Sequence, residues 1–92
     1  MVEVKSIEVL SEASNMAIVR LPGRKFPGMV IQGDSFSILV SLAEQIRRKA
    51  TGGPLQDDAD ELLRLLSDRL AHYEQVLTEN GIALPYVRKS AV

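Results

Sequence analysis

Cysteine is absent from the 92 residues, so disulfides and thiolate chemistry are excluded. Aromatic side chains are scarce at 4%, namely Phe26, Phe36, Tyr73 and Tyr86, which leaves the core to leucine, isoleucine and valine. Charge of one sign is missing as well. The net charge of -1 lacks the excess of lysine and arginine that general nucleic-acid affinity demands. No window approaches the roughly eighteen apolar residues of a membrane-spanning helix. The opening residues, MVEVKSIEVL, are partly acidic and have no basic region followed by an apolar one, unlike a secretory leader. A cytoplasmic protein with neither nucleic acid nor membrane as partner is expected. With a single histidine, His72, the material for catalysis and for metal binding is thin, and no catalytic residue, metal or cofactor is assigned.

A hydrophobic fraction of 46% against 25% charged residues fits a folded chain rather than a disordered one. The length suits one domain spanning residues 1–92. Such a chain buries only about 60–65% of its unfolded surface, so its core is thin.

Residues 2–10 read as a first strand, with a bulge near Lys5–Ser6 restoring one apolar face. Ser11–Asn15 is a turn, and the β-branched run 16–21 a second strand. So short a connection makes the pair antiparallel. Pro22-Gly23 and Pro27-Gly28 predict two successive type II turns, with Phe26 between them folded back onto the core. A third strand follows over 29–32, giving a meander. Asp34 is the expected N-cap of a first helix over about 35–50, whose apolar stripe includes Phe36, Leu39, Val40, Ala43 and Ile46. Ile38 and Leu42 widen that stripe, as in a helix buried on more than one side. Thr51-Gly52-Gly53-Pro54 ends it. The second helix covers about 56–80, opening on acidic residues and closing at Asn80-Gly81, with Gly81 in the left-handed conformation. Residues 82–92 form an extended tail that is loose from Arg88 to Val92.

The expected architecture is α+β, order βββαα: a three-stranded antiparallel sheet packed on an antiparallel two-helix hairpin. At 1.5 Å per residue the second helix reaches about 35 Å, long for so small a sheet. Part of its leucine seam then lacks a partner, which predicts a homodimer through that helix or an edge strand.

Candidate sites are few. His72 and Asp68 stand four positions apart on a helix, but no second histidine completes a metal site. Asp57, Asp58, Asp60 and Glu61 lack the ligand spacing of a calcium loop and suit a helix start instead. Ser35 and Ser37 lie in no nucleophile-elbow pattern. The stretch Arg20–Ser37 is where a site can form. Arg20, Arg24, Lys25, Phe26, Gln32, Asp34 and Ser35 are its candidate ligand-binding residues, since guanidinium groups and helix N-terminal amides both donate to anions. The competing reading pairs Arg20 with Asp34 or a helix carboxylate and leaves the Pro-Gly units to shape turns.

The segments RLPGRKFPG at Arg20–Gly28 and VIQGDS at Val30–Ser35, with LAHYE at Leu70–Glu74 and LPY at Leu84–Tyr86, resemble a family of small uncharacterised bacterial proteins, a domain of unknown function. That resemblance implies no activity and no catalytic residue. The residues themselves favour a non-enzymatic interaction protein that contacts a protein partner through the Pro22–Gly28 loop. The alternative is a binder of small anionic ligands using Arg20, Arg24 and the first helix N-terminus.

Overall fold

In a computed structural model that describes residues 2–13 and 16–87, the β-branched stretches form three strands. These are β1 (Glu8–Ser11), β2 (Met16–Arg20) and β3 (Gly28–Ile31). They make an antiparallel meander with β2 in the middle. The turn expected over Ser11–Asn15 extends onto Ser14 and Asn15, which lie outside the described residues, as does the tail from Arg88 to Val92.

Pairing places Glu8 opposite Arg20 and Val9 opposite Val19, and then skips Leu10 to set Ser11 opposite Ile18. The bulge therefore falls at Leu10, not at Lys5–Ser6. Residues 2–7 join no ladder, so β1 is shorter than the 2–10 run suggested. The reason lies across the hairpin: β2 stops at Arg20, and Pro22 soon after it has no amide to donate. On the other side, Met16 to Val19 pair with Ile31 to Gly28. Val19 is the buried residue of the sheet, only 7% exposed.

The chain divides into two compact units, residues 1–32 and 33–92. The second holds α1 (Gly33–Lys49) and α2 (Gln56–Glu79). Two contacts show that the helices run antiparallel. Arg47, near the end of α1, forms an ion pair with Asp60, near the start of α2. Gly33, the first residue of α1, lies against the ring of Tyr73, late in α2. Between these ends the seam is lined by Val40, Ala43 and Ala59, all buried. Two alanines there let the backbones approach closely.

The helix ends are built locally. α1 begins at Gly33, ahead of the expected start, so Asp34 is not its N-cap. Asp34 sits inside the first turn, where its Oδ1 accepts the Ser35 amide at 2.8 Å. Placing the glycine in the helix is what gives the Tyr73 ring room. α2 has no side-chain N-cap; Leu55 occupies that position. Gln56 Oε1 instead accepts the Gly52 amide at 2.7 Å and closes the connection, with Gly52 at φ 76°. At the far end Gly81 takes φ 68°, as its place after the helix requires. The Ile82 amide donates to Leu77 O at 2.9 Å and the Gly81 amide to Thr78 O at 3.2 Å, a complete Schellman closure.

Glu74 is the one buried charged residue among those described, 8% exposed. The Tyr86 hydroxyl donates to its Oε2 at 2.7 Å, tying the segment after α2 back onto the helix.

Two substitutions test this framework. Gly33→Ala places a methyl group inside the Tyr73 ring and is expected to destabilise by about 1–3 kcal/mol in urea unfolding, the usual range for overpacking. Gly28→Ala, with nothing near its added carbon, should change stability by about 0.5 kcal/mol or less. Equal effects would refute the Tyr73 contact. Tyr86→Phe removes one hydrogen bond to a charged carboxylate and should cost about 1.5–3 kcal/mol; an unchanged midpoint would show that the tail bond contributes nothing.

Candidate functional site

The loop between β2 and β3 starts with a true type II turn. Pro22 presets its own φ, Gly23 takes φ 79°, and the Arg24 amide donates to Leu21 O at 3.1 Å. The second Pro-Gly pair does something else. Gly28 has no positive φ and is already the first residue of β3. Extended backbone suits a residue that must enter a ladder, so one turn, not two, shapes the loop.

Arg20 braces that loop. Its Nε and Nη2 both donate to Glu8 Oε2, at 3.1 and 2.9 Å, and its Nη1 donates to Lys25 O at 3.2 Å. The register makes this possible, because Glu8 faces Arg20 across the β1–β2 ladder. Arg20 thus pairs with a strand carboxylate rather than with Asp34 or a helix carboxylate. One guanidinium joins β1, the end of β2 and the loop backbone, a use of its planar fork that lysine cannot copy.

What the brace presents is Phe26, 75% exposed. It does not fold back onto the core. Lys25 Nζ stands 5.4 Å from its ring centroid, so cation and ring form one amphipathic knob. Two open grooves flank the loop. A groove of about 500 Å³ carries Arg20, Arg24 and Lys25 together with Ser6, Ile7 and Glu8. Another of about 260 Å³ is lined by Val19, Leu21, Met29 and Val30, with Arg24 and Phe26 at its border.

The remaining candidates sit elsewhere in the chain. Gln32 is exposed between β3 and α1, and Asp34 and Ser35 belong to the first turn of α1. The Asp34 carboxylate serves the Ser35 amide, and the Ser37 hydroxyl donates to Asp34 O at 2.7 Å. His72 is exposed on α2, while Asp68 stands 3.7 Å from Arg64. Among the described residues no three histidine, aspartate or glutamate side chains converge on a metal-sized space. Of the acidic residues at the start of α2, Asp60 is engaged by Arg47.

Two important residues escape a reading of the sequence. Glu8 looks like one of several exposed acids until the hairpin register sets it opposite Arg20. Glu74 looks like a surface residue of α2 until Tyr86 returns to it. The signal for the first was available in the hairpin geometry; the second depends on a contact made after the chain has turned.

Removing the brace should loosen the loop. Arg20→Met keeps the length of the side chain and loses its donors. Limited trypsin digestion should then cut after Lys25 faster than in the parent chain, while cleavage after Arg64 on α2 stays constant. An unaltered rate at Lys25 would mean the loop is held by other forces.

A family model described as a family of unknown function, DUF6959, matches residues 2–86, nearly the whole chain. No curated protein matches the chain significantly, and no solved structure does.

Proposed function

We propose that this chain, which belongs to the family of unknown function DUF6959, is a non-enzymatic cytoplasmic interaction protein of bacterial type, homodimeric, that engages a protein partner through its Pro22–Gly28 loop. The observation that carries this reading is Phe26, exposed at 75% on a loop braced by Arg20. An apolar ring left in water is unfavourable unless something covers it, and a loop already ordered loses little entropy on binding. Arg24 and Phe26 are the residue types that dominate binding hot spots, and they border the same apolar groove.

Anion binding is the second reading. The groove bearing Arg24 and Lys25 favours it, while the engagement of Arg20 by Glu8 lowers the positive charge on offer. Thermal-shift measurements with inorganic phosphate, nucleotides and simple carboxylates separate the two. A ligand at 100 times its Kd stabilises by about 2.7 kcal/mol, so a true ligand shifts the melting curve visibly. For the protein-partner reading, Arg24→Ala combined with Phe26→Ala should abolish co-purification of the native partner without changing the melting temperature of the chain. Recovery equal to that of the parent chain would overturn the loop as contact element.

A further inference from the structure

The two outer edges of the sheet are finished differently. β1 opens on Glu8, whose carboxylate is held by Arg20, and bulges at Leu10. Charge and a bulge of this kind keep an edge from pairing with another chain. β3 has neither. It runs in unbroken register from Gly28 to Ile31 against Val19 to Met16, with no charge and no proline among its residues. Beyond that ladder its backbone makes no hydrogen bond among the described residues. Alternate residues of an edge strand turn both N–H and C=O outward, a row that another extended backbone fills in step.

Gly28 points to the same edge. Its φ is not positive, and a carbon added to it meets nothing within 4 Å. The fold itself therefore has no need of glycine at that position. A glycine inside a strand also marks where another backbone comes close. Gly28 pairs with Val19, so the two share a face, and Val30 shares it too. On that face Val19, Leu21 and Val30 line the groove of about 260 Å³, to which Gly28 contributes no side chain. Arg24 stands at its border, and no carboxylate among the described residues pairs with it.

We infer that the protein partner docks as an extended segment added to the sheet beside β3, with an apolar side chain laid across Gly28 into the groove and an acidic residue against Arg24. This rests on the loop reading above and names what the loop's partner presents. Main-chain bonds to the β3 edge supply affinity, and the groove and Arg24 supply selectivity. Because β3 is only four residues long, its edge alone is a weak anchor, and the exposed ring of Phe26, two residues before it, adds apolar contact. A second copy of this chain is a poorer occupant. Its own Gly28–Gln32 carries no acid for Arg24, and Asp34 beyond that span accepts the Ser35 amide.

The probe is a phage-displayed library of random linear peptides, selected on the full chain. Enriched peptides should alternate apolar and polar residues and carry aspartate or glutamate. In fluorescence polarisation Gly28→Val should weaken the tightest of them by about tenfold or more. The melting temperature should hold, since valine suits a strand and the added carbon meets no neighbour. N-methylation of every second peptide amide should abolish binding in one phase of the alternation and spare it in the other. Arg24→Glu should turn the selection from acidic to basic peptides. Enriched peptides with apolar residues at helical spacing, or binding indifferent to Gly28→Val, overturn strand addition; if such binding still depends on Phe26, the loop stands as the contact element. A library that enriches nothing overturns the proposal too, and a Gly28→Val chain that then passes from dimer to monomer in gel filtration assigns the edge to a second copy instead.

Discussion

The closeness of the two helices rests on Gly33. Only a residue without a side chain can lie under the Tyr73 ring, and that contact pins the start of α1 to the later part of α2. Arg47 and Asp60 pin the other end. With both ends anchored, the helices cannot slide past each other by a turn, and the position of every other side chain on the pair follows. Val40, Ala43 and Ala59 turn inward, while Ile38, Leu42, Ile46, Leu62 and Leu65 stay exposed. The ion pair alone is too exposed to enforce this, since partly solvated charges contribute little. Steric exclusion by an aromatic ring is not screened by water.

The sheet uses a different device at a similar scale. Its strands are four or five residues long and its one buried side chain is Val19. So small a ladder has little packing with which to hold the connection from β2 to β3 in shape. Arg20 supplies the constraint by reaching from β2 to Glu8 and to the loop backbone. The loop is ordered by polar geometry and not by burial, which is why its aromatic residue remains in solvent. A loop stabilised by burying Phe26 would have no ring to present.

Both devices leave apolar surface uncovered, and no side chain among those described is fully buried. A chain of this length has too little interior for a core holding nearly half its residues. Such an excess is tolerated where another molecule completes the burial. The exposed ring on the loop and the exposed leucines of the helices are two separate expressions of that same shortage of interior.

Much of this was legible in the order of residues. Period-two and period-four patterns, Pro-Gly and Asn-Gly punctuation and the placement of charge at helix ends specify βββαα, the type II turn at Pro22-Gly23 and the closure at Gly81, because each depends on neighbours along the chain. Whether Gly28 turns or enters a ladder, whether Phe26 packs or protrudes, and whether Asp34 caps a helix or sits within it depend on what lies across from them. The bulge at Leu10, the Glu8–Arg20 brace and the seat of Tyr73 on Gly33 are facts about residues distant in sequence. Local propensity acts over a few bonds and is written in composition; register and contact act through space, and only the folded chain decides them.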